Sequence, residues 1–456
     1  MIQAIKRTFG DKAFLKAALA LIIPISMQSL LMSGVNFLDN IMIGRLGEAS
    51  IAAVSLANQY YFVLNLVLFG VCSGAGIFIS QFWGKGDVLS IRKVLIINII
   101  GGGTAALLFM IPGIFVPELI MKVFTTDAEV IKLGVSYLTF IVISYIPTSV
   151  SMALQIGLKS VGRTKIPLLM SFIALCMNGV FNYIFIFGKF GVPAMGVVGA
   201  AIATTITRIL EMVITFVFLA AYSSDLLMRI HDFKGITVDF LRRFSLTSMP
   251  VVLNEFLWGL GTCLYSFVYG RMGTDTVAAV SIATTIENLM SIFMFGMGNA
   301  GVVMIGNKIG EGDIETGKDY SSRFSVMSWT LGILMCIAII SVSPLVLNLF
   351  KVQRTVRNTA FFVLADIAFI SILRSYVHTN FIGSLRSGGD TRFCLIVDLI
   401  GVWGISLPLL IIFGLILKVP IEYTYITLGV EQIIKAIFIS RRLKSGKWIR
   451  NLVKDM

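Results

Sequence analysis

Residues 17–43 read AALALIIPISMQSLLMSGVNFLDNIMI, an apolar run interrupted by one proline, Pro24, and one carboxylate, Asp39. A helix needs about 20 apolar residues to cross the hydrocarbon of a bilayer, so this stretch is long enough to span. The cluster Lys6, Arg7, Lys12 and Lys16 ahead of it gives it the look of a secretory leader. The run is too long for a leader and no A-x-A cleavage site follows, so it is expected to stay as an uncleaved first helix.

The same kind of segment recurs along the chain. Apolar stretches fall near 51–80, 94–116, 130–156, 166–187 and 195–222, and again near 244–269, 277–306, 325–349, 357–384, 393–416 and 419–440. Of the 456 residues 57% are hydrophobic and only 13% charged, with mean hydropathy +0.91. Soluble domains carry roughly 25% charged residues, and no water-soluble core could hide this much apolar surface. The reading is an all-α integral membrane protein of twelve transmembrane helices, with the lipid bilayer as its partner. Asp225 to Arg243 is the longest polar stretch. It divides the chain into an N-terminal six-helix lobe at 1–222, a cytoplasmic linker at 223–243 and a C-terminal six-helix lobe at 244–456.

The two lobes repeat each other. An offset of 226 residues places Pro24 on Pro250, Gly44-Arg45-Leu46-Gly47 on Gly270-Arg271-Met272-Gly273, and Ala52-Ala53-Val54-Ser55 on Ala278-Ala279-Val280-Ser281. It also places Gly84, Gly86 and Asp87 on Gly310, Gly312 and Asp313. From Pro24 to Asp87 there are 17 identities in 64 ungapped positions, and chance likeness of apolar helices would not keep loop residues in register. An offset of 227 aligns Leu158–Lys165 with Leu385–Arg392. This is an internal duplication. Six helices per half is an even number, so the halves are expected to be parallel repeats about an axis along the membrane normal. The 37 Lys and Arg agree: 26 fall in the termini and even-numbered loops, 9 in the odd-numbered loops, and Arg208 and Arg374 within helices. The basic side faces the cytoplasm, which puts both termini inside.

That distribution also accounts for the net charge of +13 without nucleic acid, since no basic stripe with interleaved aromatics exists. Cys72, Cys176, Cys263, Cys336 and Cys394 all lie in apolar stretches and read as small buried hydrophobes. Two histidines and no CxxC speak against zinc or haem. No Walker motif is present, so ATP does not drive the chain directly. No cofactor and no enzyme signature are read, and a monomer is expected.

Ionisable groups inside membrane helices cost a few kcal/mol each and mark function by default. Here they are Asp39, Arg208, Glu211, Glu255, Glu287, Asp366, Arg374, His378, Asp398, Glu431 and Lys435, with acids in excess. Asp39 is a candidate cation-binding carboxylate or a hydrogen-bond partner for a neighbouring helix. Asn178 and Asn182 are four apart and share a helix face, with Thr204 on the next helix. Their oxygens suit Na⁺ as hard ligands, or they bond between helices. Glu255 and Glu287 lie on consecutive helices at comparable depth. If they face each other they would share a proton as a coupling or substrate site; pairing with Arg374 or His378 is the alternative. Arg208 and Glu211, three apart, form a self-neutralising pair, and Asp366 and Asp398 are open. Pro24 and Pro250 each delete a helix hydrogen bond at matching places, as a hinge or as a static bend.

Phe37-Leu38-Asp39-Asn40-Ile41-Met42-Ile43-Gly44-Arg45-Leu46-Gly47 resembles the first-helix motif of the multidrug and toxic compound extrusion (MATE) family. Leu385-Arg386-Ser387-Gly388-Gly389-Asp390-Thr391 resembles its loop after helix ten. Asn178–Gly188, Gly199–Thr204 and Lys447-Trp448-Ile449 are similar as well, so the likeness runs the length of the chain. The resemblance implies two pseudo-symmetric six-helix lobes around a central cleft, and a plasma-membrane antiporter exporting small organic cations against Na⁺ or H⁺ influx. In one branch the coupling cation lies in the N-terminal lobe, and its ligands match Asp39, Asn178 and Thr204; Asn182 stands where that branch usually has an aspartate. In another a helix-seven glutamate and a helix-ten aspartate serve. Glu255 lies about a turn from the first position and Ser375 near the second, with Asp366 upstream. No metal beyond Na⁺ at Asp39 is implied. The alternative is a lipid-linked precursor flippase of similar fold, which would want a basic cavity; a membrane-embedded enzyme lacks any signature here.

Overall fold

A computed structural model describes residues 2–348, 350, 352–454 and 456, the side chains of residues 2–4 and 230 excepted. The described residues form helices and no strand. Eleven helices are long and apolar enough to cross a membrane: α1 (Lys12–Gly44), α2 (Glu48–Lys85), α3 (Val88–Phe115), α4 (Ala128–Ser160), α5 (Lys165–Phe187), α6 (Gly196–Tyr222), α7 (Val238–Met272), α8 (Thr274–Gly310), α9 (Ile314–Leu347), α10 (Arg354–Arg386) and α11 (Thr391–Ile416). A twelfth, α12 (Thr427–Lys444), follows the short helix Ile421–Thr424. It is the least apolar of the set because Glu431 and Lys435 sit within it and Arg441, Arg442 and Lys444 close it. The expected last span at 419–440 is therefore a one-turn helix, a break at Tyr425–Ile426 and a longer helix.

Only helices satisfy all their backbone groups within one segment in hydrocarbon, and the sequence ends each by local means. Gly86 and Gly312, repeat partners, both adopt positive φ (+79° and +86°), a conformation that favours glycine. The next residue caps the following helix in each half: Asp87 accepts from the Ser90 backbone N–H at 3.0 Å, and Asp313 from that of Thr316 at 3.2 Å. Pro24, Pro112, Pro250 and Pro344 lie inside their helices. Thr379–Arg386 at the end of α10, and Ile400–Ser406 and Ile412–Ile416 in α11, are wound as π-helix.

The chain forms two compact units. One comprises residues 27–79 and 87–252; the other comprises 1–26, 80–86 and 253–456. The boundaries depart from the expected 1–222 and 244–456 at three places, because α1, α2 and α7 each contribute to both units. Small residues explain the exchange. Within the first unit a Cβ on Gly70 would stand 2.6 Å from the Val252 Cα, so α2 packs backbone to backbone on the early part of α7. Within the second, a Cβ on Gly296 would stand 2.0 Å from the Ser26 hydroxyl, so α8 packs on the early part of α1. Gly70 and Gly296 are repeat partners, as are Ser26 and Val252; the duplication preserved one contact in both units. The expected linker is partly helical (Ile230–Lys234) and partly the start of α7 at Val238. Asp225 ties it down by a two-pronged pair with Arg163, at 2.7 and 3.0 Å.

The core of the first unit gathers Leu64, Leu68, Leu138, Tyr145 and Ala201. The second unit has two clusters, one around Ile339, Ile367 and Tyr425, the other around Phe14, Ile305, Phe324 and Trp448. Of the cysteines, Cys72, Cys336 and Cys394 are buried, whereas Cys176 and Cys263 are exposed on their helices. Apolar surroundings in sequence do not mean interior placement when lipid is the solvent.

Candidate functional site

Four of the residues singled out in the sequence meet in the first unit. Asn182 on α5 donates its side-chain N–H both to the Asp39 carboxylate on α1 and to the Asn178 Oδ1, the latter at 3.0 Å. Asn178 in turn donates to the Thr204 hydroxyl of α6 at 3.3 Å. The helical spacing of four stacks the two asparagines on one face, and both are wholly buried. Asp39 itself is partly exposed. The Asn182 Oδ1 is buried without a hydrogen-bond partner. The result is a carboxylate beside three neutral side chains rich in oxygen.

A cation is near but engaged elsewhere. Arg208, one turn along α6 from Thr204, acts on Asp39 through space, yet its guanidinium is bonded at 2.7 Å to Glu211, as the spacing of three implies. Glu211 also accepts from Gln155 at 3.0 Å, and Gln155 accepts from Gln28 at 2.6 Å. This buried relay through α1, α4 and α6 holds Arg208 away from a direct pair. Among the described residues no Lys or Arg forms a salt bridge with Asp39. Gln28 and Gln155 carry no formal charge, so nothing in the sequence sets them apart from the other uncharged polar residues of the apolar stretches.

The second unit arranges its charges differently. Glu255 and Glu287 do not meet. Glu255 on α7 pairs with Arg386 of α10 at 2.7 Å, and Glu287 on α8 pairs with Arg374 of α10. Comparable depth on neighbouring helices does not bring two acids together when α10 supplies each with its own base. Arg386 was read from sequence as part of a loop; the π-wound end of α10 makes it 2% exposed, buried beside Glu255. Asp366 on α10 stands apart from both, half-buried, with one carboxylate oxygen buried and unbonded.

From Glu255 the network continues. Arg386 donates to the Asn254 Oδ1 at 2.9 Å, and Asn254 donates to Asp398 of α11 at 2.5 Å. Lys435 of α12 pairs with both Asp398 and Glu431, and the Ser406 hydroxyl of α11 donates to Glu431. A crevice lined by Asn254, Trp258, Asp398 and Trp403 borders it. The sequence signal for this group was the pair Glu431 and Lys435 at i, i+4 inside an apolar segment. Among the described residues no cluster of three His, Cys, Asp or Glu side chains has the geometry of a metal site.

The MatE family model matches residues 24–184 and 250–412. The chain belongs to the MatE family. The two matched segments begin at Pro24 and Pro250, the pair that opens the internal repeat, so the family unit occurs twice. The chain is similar to the probable multidrug resistance protein NorM of Agrobacterium fabrum, 28% identical over 412 residues and covering 86% of each chain. It is similar to the uncharacterized transporter YisQ of Bacillus subtilis, 25% identical over 452 residues, 97% of this chain and 96% of the other. Its fold is shared with the outward-facing conformation of a multidrug resistance MATE family transporter of the MOP superfamily, at TM-score 0.85 and 18% identity over 95% and 96% of the two chains. This MatE protein is thus an all-α, multi-pass membrane transporter of a multidrug efflux family, not an enzyme.

Proposed function

We propose that this MatE protein exports small organic cations from the cytoplasm by alternating access, in exchange for Na⁺ or H⁺ bound at Asp39. The observation that carries the reading is a membrane-embedded carboxylate with neutral oxygen-bearing neighbours and, among the described residues, no salt bridge to a base. Such a group costs several kcal/mol to hold charged in hydrocarbon, and a visiting cation or proton relieves that cost. Asn182 fits both conditions. Its N–H satisfies the carboxylate when no cation is there, and half a turn of the amide would present the now unbonded Oδ1 instead. A cation must favour one state over the other to bias the cycle, and the exchange of Asp39's partner supplies that difference. One charge moving through 100 mV contributes about 2.3 kcal/mol. The basic residues of the even loops support an orientation with both termini cytoplasmic.

A lipid-linked precursor flippase is not favoured: its phosphates would want free bases, whereas Arg208, Arg374, Arg386 and Lys435 are each held by carboxylates. The reading is tested in an efflux-deficient host. Expression is expected to raise tolerance to a cationic dye only while a Na⁺ or proton gradient stands, and Asp39→Asn at equal membrane abundance is expected to raise none. Equal protection by Asp39→Asn would overturn it.

A further inference from the structure

The two units hold corresponding sites of opposite design. The 226-residue offset carries Asp39 onto Tyr265, and the 227-residue offset that aligns Leu158–Lys165 with Leu385–Arg392 carries Thr204 onto Glu431 and Arg208 onto Lys435. Tyr265 comes up to Ser406 and Glu431 in the second unit. The position of the first-helix acid carries no acid there, and two acids stand on other helices instead, Glu431 on α12 and Asp398 on α11. Lys435 is 4% exposed, and its ammonium bridges both acids. The backbone is shaped for it: a Cβ on Gly401, in the π-wound stretch of α11, would stand 2.3 Å from the Lys435 Cε and 3.0 Å from the Glu431 Cγ. In the first unit the corresponding Arg208 is drawn off by Glu211, whose counterpart at 227 residues is Phe438.

We infer that Lys435 is a tethered cation occupying the C-terminal counterpart of the Asp39 site, and that it determines which half accepts a free cation. Its ammonium takes the place a monovalent cation would fill between Asp398, Glu431 and the Ser406 hydroxyl. Counting the groups joined to it, Glu255, Asp398 and Glu431 face Arg386 and Lys435, so departure of the lysine would raise the uncompensated negative charges from one to two and leave Asp398 and Glu431 with no base. The free coupling cation is thereby confined to the N-terminal half. This rests on the assignment of Asp39 as the coupling site.

The test is a gain of binding, read as the melting temperature of purified protein in Na⁺ against choline at constant ionic strength. All variants are made on Asp39→Asn. Adding Glu431→Gln with Lys435→Gln removes one charge of each sign, keeps the net charge of the network and leaves Asp398 without its ammonium; Lys435→Gln alone leaves both acids. A Na⁺-specific rise of roughly 2 °C or more at ten times the dissociation constant is expected of the paired variant relative to Asp39→Asn. Adding Asp398→Asn should abolish it. A folded, monodisperse paired variant with no Na⁺ response beyond its background would overturn the proposal. If Asp39→Asn by itself keeps a Na⁺ response, the coupling assignment fails, and the increment on that background still decides the role of Lys435.

Discussion

In the first unit, Asp39 accepts from the Asn182 amide, which leads on through Asn178 to the Thr204 hydroxyl, and the nearby arginine is neutralised by Glu211. In the second unit, Glu255 is paired with Arg386 of α10, and Asp398 and Glu431 share Lys435 of α12. The helices around the two sites descend from one ancestral set, since the Gly70 and Gly296 contacts and the Asp87 and Asp313 caps still coincide. What has diverged is where the bases are held. Moving one carboxylate from the position of Glu211 to that of Glu431 changes whether the neighbouring cationic side chain is drawn away from the site or locked into it. A duplicated transporter can in this way keep two matching scaffolds and leave one of them responsive to an ion.

Four substitutions bear on that contrast, in falling order of effect. Arg208→Gln strands Glu211, whose side chain is 2% exposed; breaking a buried pair from one side costs about 3–5 kcal/mol, seen as a large drop in melting temperature. A small drop would mean that the arginine is not needed to keep the relay satisfied. Asn182→Asp adds a second carboxylate beside Asp39 and should tighten Na⁺ binding on the order of tenfold, measured by titration of the purified protein. Weaker binding would show that the asparagine is needed as a donor. Asp87→Ala and Asp313→Ala each remove a helix cap, the smallest effect of the set. Their losses should match in chemical denaturation, and unequal losses would show that the repeats differ in stability as well as in charge.

Much of this was legible in the sequence, and what was not has a physical cause. The spans follow from apolar length, and the duplication from Gly44-Arg45, Gly84, Gly86 and Asp87 recurring at one offset. The grouping of Asp39, Asn178, Asn182 and Thr204 was suggested by a spacing of four and by family likeness. The partners of Glu255 and Glu287 were out of reach, because helix rotation decides which side chains face one another and a sequence gives only depth. Arg386 looked like a loop residue because the π-wound end of α10 has no periodic signal. The exchange of helix ends between units was hidden for a similar reason: Gly70 and Gly296 announce close packing but not with which helix.

The central claim is that Asp39 takes the coupling cation, and purified protein in proteoliposomes tests it most directly. With an inward Na⁺ gradient, a proton gradient or neither imposed, efflux of a cationic substrate is measured for the wild-type chain and for Asp39→Asn. The account predicts gradient-driven efflux by the wild type and only gradient-independent leakage by Asp39→Asn, with both proteins folded alike. Efflux by Asp39→Asn that still follows either gradient at the wild-type rate would contradict it.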